Sequence, residues 1–233
     1  MTLRLPAALA RPFSSHKGLI GIVVKMIIII VALPLVLTPI YAIAPPVSTL
    51  MLWSGIRGEG MKRDWVPFDQ ISRNLVHSVI MTEDGQFCSH RGVDWDALNA
   101  VLDREGGPSR GASTIAMQTV KNLFLWPSRS YLRKALEIPL AYYADFVLSK
   151  RRILEIYLNI AEWGPGLFGA EAAAQYYFKT PASKLTPRQA ALLTAALPNP
   201  ITRNPAKPSR YLNSRARTIQ ARARAAGGYV DCL

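Results

Sequence analysis

Glu83-Asp84-Gly85-Gln86-Phe87-Cys88-Ser89-His90-Arg91-Gly92 concentrates reactive side chains at short spacing. Two adjacent carboxylates are followed by an aromatic ring, an imidazole and a glycine. Like charges side by side disfavour ionisation, so this pairing predicts a raised pKa. A carboxyl group of that kind suits general acid or base chemistry, and Glu83 is the candidate base. Taken alone, an adjacent Glu-Asp pair is more often a solvated helix end. Its neighbours Phe87, His90 and Gly92 weaken that bland reading without overturning it.

Three other stretches carry chemistry of their own. In Arg110-Gly111-Ala112-Ser113-Thr114-Ile115-Ala116-Met117-Gln118, small residues precede a helix start. Main-chain N–H groups there can approach a ligand oxygen, although a merely capped helix has the same pattern. Lys121 follows one turn after Gln118. Next come Arg129, Arg133, Lys134 and Glu137. Arg133 and Glu137 stand four apart, so they suit a helix-surface pair. The alternative is a basic cluster that grips a phosphorylated anion beside a second carboxylate. Lys150-Arg151-Arg152 reads as a surface run at a helix start. His77 and His90 have no partners at metal-ligand spacing, so no metal site is expected. The two cysteines, Cys88 and Cys232, are too few for a disulfide framework, and spacing leaves open whether they pair.

The elements that must position these groups are helical. Leu75, Val76, Val79 and Ile80 give residues 72–84 one apolar face. Asp94 can cap a helix containing Leu98, Val101 and Leu102, which Glu105-Gly106-Gly107-Pro108 ends. Ser113 is the expected cap of a helix over 114–125, stopped by Pro127-Ser128. Ser130 starts a longer helix in which Pro139 predicts a kink. Residues 149–160 and 170–178 read as helices, separated by a tight loop at Gly164-Pro165-Gly166 and Gly169. Thr186-Pro187-Arg188-Gln189 combines a cap, a first-turn proline and a capping-box glutamine, so a helix runs from there to Leu197. The stretch from Pro205 is basic. No repeat and no convincing alternating run appear, so the fold class is mainly α.

Upstream, residues 19–44 are almost wholly apolar, and Met26 to Ala44 contains no charged residue. That length suits a bilayer-spanning helix, in which Lys25 can snorkel and Pro34 and Pro39 are tolerated. It exceeds a signal-peptide core and ends in Pro45-Pro46 without a small-residue cleavage pattern. Arg4, Arg11 and Lys17 precede the span, which places the N-terminus in the cytoplasm and the remainder outside. The expected organisation is a cytoplasmic segment (1–18), a transmembrane helix (19–44), a linker and membrane-proximal segment (45–64) and a catalytic domain (65–233). The chain has 233 residues, half of them hydrophobic, and a formal net charge of +13. That charge favours anionic partners such as headgroups or phosphorylated substrates. Nucleic acid is not expected, because zinc-ligand spacing, RNP-like motifs and long basic runs are all missing.

Together these motifs resemble the glycosyltransferase family 51 peptidoglycan transglycosylases. Glu83 to Gly92 fits Glu-Asp-x-x-Phe-x-x-His-x-Gly at every specified position. Gly111 to Gln118 fits Gly-x-Ser-Thr-Ile-x-Gln-Gln except at Met117, and Lys121-Asn122 follows. Arg133-Lys134-Ala135-Leu136-Glu137 fits Arg-Lys-x-x-Glu. Lys150 to Asn159 fits Lys-x-x-Ile-Leu-x-x-Tyr-Leu-Asn. Gly164, Gly166, Gly169, Ala172-Ala173 and Tyr177-Phe178-Lys179 fit the fifth element. Gln189 stands where relatives usually carry Glu. The resemblance covers roughly Trp65 onward, and with no second catalytic domain following, it is to the monofunctional, membrane-anchored type.

The resemblance implies a lysozyme-like helical domain behind one N-terminal transmembrane helix, in the bacterial inner membrane with its catalytic domain in the periplasm. It implies lipid II and the growing lipid-linked glycan strand as substrates, polymerised with inversion into β-1,4-linked glycan as undecaprenyl pyrophosphate leaves. Glu83 and Glu137 are then the catalytic carboxylates. Asp84, Phe87, His90, Ser113, Gln118, Lys121, Arg129 and Arg133 are expected at the substrate. No cofactor is required; a divalent cation, Mg or Mn, is compatible with Glu137. Other cell-wall synthesis or division proteins are compatible partners. A glycan-cleaving hydrolase would also use a raised-pKa Glu, but it would need neither the span nor the cations.

Overall fold

The computed structural model describes residues 15–103, 112–128 and 130–233. The chain separates into two units, Met1–Leu37 and Thr38–Leu233. The first is dominated by α1, which spans Ser15–Ile40 and is continuous through Pro34 and Pro39. Ile20–Ile40 is long and apolar enough to cross a membrane, and almost none of it is buried. Its 21 residues rise about 30 Å, the thickness of a bilayer core.

The second unit is mainly α, as the periodicity predicts. Its helices are α2 (Thr49–Ile56), α3 (Arg73–Glu83), α4 (Trp95–Leu102), α5 (Ile115–Phe124), α6 (Tyr131–Val147), α7 (Lys150–Ile160), α8 (Ala170–Phe178), α9 (Pro187–Ala196) and α10 (Arg210–Arg224). A small sheet has the order β1 (Lys62–Arg63), β3 (Leu167–Phe168), β2 (Glu162–Gly164). β1 and β3 run parallel, and β2 and β3 form an antiparallel hairpin. The hairpin occupies the Gly164-Pro165-Gly166 loop, where strands this short leave no alternating pattern to read.

The caps follow from residue type. Ser72, Asp94, Ser130, Ser149 and Ser209 each accept an N–H of the helix they open. Thr186 and Gln189 form the expected capping box, so glutamine serves there as glutamate would. At α5 the cap is Thr114, not Ser113: the Thr114 hydroxyl accepts from Met117 N and donates to the Gly92 carbonyl at 2.5 Å. Within the stretch expected as a linker, residues 49–56 fold as α2. It docks through Thr49, whose hydroxyl meets the carbonyls of Asn122 and Leu125. In the basic stretch past Pro205, α10 has Leu212, Ala216 and Ile219 buried on one side, packed against α9.

The main core gathers Leu75, Val79, Ile80, Ile115, Ile153, Leu154 and Ile156 around fully buried Phe87, Trp163 and Phe168. Asn159, also fully buried, bridges both polar groups of Val66, accepting from its N–H at 3.0 Å and donating to its carbonyl at 2.9 Å. This ties α7 to the segment before α3. Lys150, Arg151 and Arg152 are anchored, not a solvated run. Lys150 pairs with Asp145 and lies over the Phe87 ring, Arg151 pairs with Asp69, and Arg152 holds Glu155 and the carbonyls of Tyr41 and Ala44.

Gly92 has φ +77°, and a Cβ there would stand 2.5 Å from the Ala141 carbonyl oxygen. Gly92→Ala therefore meets both left-handed strain and a backbone clash. It is expected to destabilise the domain by roughly 2–3 kcal/mol. Urea unfolding measures this; a midpoint equal to wild type would show that the loop swings clear at no cost.

Candidate functional site

The site is built where α3 ends against the start of α5. Glu83, the last residue of α3, follows Val79 and Ile80 by four and three positions. It therefore lies on the buried side of the helix. Asp84 caps the helix and is itself buried. Its carboxylate accepts the Ile115 N–H at 2.8 Å and meets His90 Nε2 at 2.8 and 3.0 Å. An anion at a helix N-terminus satisfies an otherwise orphaned donor and the helix dipole together. The two adjacent carboxylates thus have separate tasks: Asp84 joins two helices, and Glu83 meets Gln118 on α5.

Glu83 is half-buried and, among the described residues, is held by the Gln118 side chain. Gln118 Nε2 donates to Glu83 Oε2 at 3.2 Å, and the Tyr157 hydroxyl donates to Gln118 Oε1 at 3.2 Å. With its oxygen engaged by Tyr157, the amide must present its nitrogen to Glu83. Burial raises the Glu83 pKa, opposed by the Gln118 hydrogen bond and by Arg215 and Lys121. Repulsion from Asp84, the cause expected from sequence, also acts upward but is the weakest of these influences. The direction is as expected; the principal cause is desolvation.

A cationic wall stands nearby. Lys121 lies in the last turn of α5. Burial lowers its pKa, while Glu137 and Glu83 act to raise it and Arg133 and Lys134 to lower it. Glu137 is 2% exposed and sits between Arg133 Nε at 3.4 Å and Lys134 Nζ at 3.1 Å. This buried three-membered cluster replaces the simple helix-surface pair as a reading of that spacing. Lys134 also donates to Ser113 Oγ at 2.6 Å. Lys121 and Arg133 share a pocket of about 110 Å³ with Asn122 and Trp126.

The expected site residues therefore divide. Glu83, Gln118, Lys121, Arg133, Ser113 and Glu137 belong to one connected set of hydrogen bonds, ion pairs and neighbouring charges. Asp84, Phe87 and His90 are buried props: Phe87 is fully enclosed and offers no surface to a ligand. Arg129 lies outside the described residues. Met117, where the family pattern has Gln, is also fully enclosed, its sulfur 3.9 Å from Lys134 Nζ. That position packs beneath a cation and is not a polar contact in the cleft.

Two contributors escaped the sequence reading. Tyr157 was legible only as part of a motif, yet it fixes Gln118. Arg215 acts on Glu83 from α10, a helix distant in sequence that packs on α3. It sits three residues after Leu212 and four before Ile219, and a cation on a buried helical face was the available signal. A second, larger pocket of about 640 Å³ is lined by His90, Arg91, Asp94, Trp95 and Tyr142 among others, and by none of the Glu83 set.

Known proteins share this chain's sequence over nearly its whole length. A family model described as Transglycosylase matches residues 51–224. The biosynthetic peptidoglycan transglycosylase of Brucella suis biovar 1 is 57% identical over 218 residues, covering 92% of this chain and 97% of that protein. The protein of the same description from Agrobacterium fabrum is 56% identical over 215 residues, covering 91% and 95%. That from Nitrobacter winogradskyi is 55% identical over 197 residues, covering 83% and 87%. The chain belongs to the transglycosylase family, and it is a glycosyltransferase enzyme.

Burial of Glu83 has a sign that can be checked. Its folded-state pKa lies above its unfolded value, so stability falls as pH rises through that interval. Glu83→Gln removes this ionisation. The variant is expected to melt above wild type at pH 8 and to lose that advantage below about pH 4. Gln118→Leu deletes the one hydrogen bond that favours the carboxylate, so the Glu83 carbon resonance should titrate at higher pH in an NMR series. A titration at lower pH would contradict the Gln118 assignment.

Proposed function

We propose that this enzyme polymerises peptidoglycan glycan strands from lipid II at the outer face of the bacterial cytoplasmic membrane. The observation that carries the reading is Glu83: a half-buried carboxylate of raised pKa, oriented by Gln118 and acted on by Lys121, which shares a pocket with Arg133. The relatives described as biosynthetic peptidoglycan transglycosylases support it.

The chemistry is one displacement. Glu83 takes the proton from the 4-hydroxyl of the acceptor GlcNAc as that oxygen attacks C1 of the donor MurNAc. A raised pKa makes Glu83 a stronger base once ionised. The α-linked undecaprenyl pyrophosphate departs, and a β-1,4 bond forms with inversion. Charge grows on the leaving oxygen, where Lys121 and Arg133, with Arg129 by resemblance, neutralise it. Fixed cations in a partly desolvated cleft do this without reorganising. Glu137 holds Arg133 and Lys134 in place from behind, and Ser113 steadies Lys134.

Among the described residues no group of three or more His, Cys, Asp or Glu side chains could hold a metal ion, and Glu137 is flanked by Arg133 and Lys134; an Mg or Mn ion would have to be held by a single carboxylate together with the substrate's phosphates. No step is routed through one.

On this proposal residues 1–18 lie in the cytoplasm, 19–44 in the bilayer, 45–64 at its surface and 65–233 in the periplasm. Three features support that arrangement: the basic residues before the span, the exposed apolar side chains Ile43, Leu52, Trp53 and Ile56 that follow it, and the Cys88–Cys232 disulfide, a bond that persists in oxidising compartments. The partners are then the membrane, the lipid-linked strand and other cell-wall synthesis or division proteins.

Purified protein incubated with lipid II should yield glycan polymer on a gel. Shortened sacculi without polymer would mean a cleaving enzyme instead. Glu83→Gln should cut turnover by about 10²- to 10⁴-fold with the fold intact. Lys121→Ala should raise the apparent KM for lipid II by about tenfold, or 1.4 kcal/mol. An unchanged KM would count against the cationic pocket.

A further inference from the structure

Cys88 lies inside the turn that sets the end of α3. The turn is closed by Phe87 N–H to Asp84 O at 3.0 Å and Ser89 N–H to Gln86 O at 2.8 Å. Phe87 plugs the core on one side of Cys88, and His90 holds Asp84 on the other. Cys88 is bonded to Cys232 across a sequence separation of 144, with Cα atoms 5.5 Å apart. Cys232 belongs to the C-terminal segment after α10. That segment packs Val230 and Leu233 on the core and sets the short turn Gly227–Val230 against α3.

The hydrogen bonds of this segment are otherwise local. Tyr229 N–H meets Ala226 O, Asp231 N–H meets Gly228 O, and Leu233 N–H meets Val230 O. Among the described residues, its hydrogen bond to another part of the chain is Cys232 N–H to Cys88 Sγ at 3.4 Å. The covalent bond, with two apolar side chains, therefore sets the register of the segment on the turn. It joins the C-terminal end of α10, the helix of Arg215, to the turn after α3, the helix of Glu83. The other cations of the site, Lys121, Arg133 and Lys134, ride on α5 and α6.

We infer that the Cys88–Cys232 bridge is a positioning device: it holds the 84–90 turn so that Glu83 faces Gln118, and the oxidised chain is the active form. The inference rests on the assignment of Glu83 as base. Closing the bridge takes two protons and two electrons from the thiols and passes them to the disulfide of an oxidising exchange protein, which is left as a dithiol. Opening it draws the same electrons from a dithiol reductant. The turn meets α5 at its first residue, through Asp84 and Ile115 N–H, whereas Lys121 lies in the last turn of α5 and Arg133 on α6. Loss of the bridge therefore acts first on the placement of Glu83 and on turnover, and much less on the grip on the anion.

The test uses the full-length chain in detergent. Alkylation under denaturing conditions, read by mass, should add two labels only after reduction. Lipid II polymerisation is then compared for oxidised, dithiothreitol-reduced and re-oxidised protein, below the melting temperature and with near-UV circular dichroism confirming the fold. Reduction should lower kcat by about tenfold, in line with the cost of small misplacements of a reacting group. KM should stay within about twofold, and re-oxidation should restore kcat. The Cys88→Ala/Cys232→Ala variant should match the reduced enzyme and ignore reductant; if it does not fold, the reduced wild type decides. Labels without reduction, an unchanged kcat, or a raised KM at constant kcat would each overturn the inference. Oxidised wild type that makes no polymer would refute the polymerase reading instead. The inference is then decided by the Glu83 carboxyl resonance at fixed pH, which moves on reduction if the bridge positions it and stays if it does not.

Discussion

The Asp84 carboxylate is the joint on which this active site hangs. It is buried, and it satisfies two donors: the first N–H of α5 and the ring of His90. Hydrogen bonds to a charged group contribute about 1.5–3 kcal/mol each, and an abandoned buried donor costs a comparable amount. The joint thus fixes the end of α3 against the start of α5. It also determines which of two neighbouring carboxylates remains available for chemistry. Asp84 is engaged by both donors; Glu83, among the described residues, is hydrogen-bonded by Gln118.

Behind Glu83 the fold accepts unfavourable electrostatics to keep charges poised. Burial acts against both the Glu83 carboxylate and the Lys121 ammonium. Glu137, more deeply buried than either, is compensated by Arg133 and Lys134. Desolvated charges interact strongly and reorganise little, which is what developing charge requires. Conflict between local stability and function concentrates at sites of this kind. The surrounding core of α3, α5, α7 and α9 supplies the stability that the cleft gives up.

Much of the helical frame was legible because its signals are local. Asp94 opening α4 and the Thr186–Gln189 box opening α9 need only a few residues to declare themselves. The elements that escaped depend on partners distant in sequence. α2 becomes a docked helix through carbonyls more than seventy residues away, at Asn122 and Leu125. The hairpin from Glu162 to Phe168 has strands too short to show a period. α10 hides Leu212, Ala216 and Ile219 among arginines. The same division holds at the site. Glu83, Lys121 and Glu137 stand out by type and spacing, whereas the reach of Arg215 and the reason for the Glu83 shift emerge only from packing. Phe87 shows the converse: a motif residue fully enclosed in the core.

The bridge between Cys88 and Cys232 spans 144 residues, and that separation has a consequence for biosynthesis. At about 5–20 residues per second, Cys88 emerges roughly 7–30 s before its partner exists. Throughout that interval it is a thiol whose partner has not been made, so the bond can close only after nearly the whole chain exists. The cell must also keep a half-built chain's exposed thiol from pairing with a stranger, so the supply of a partner becomes a matter of timing on the ribosome.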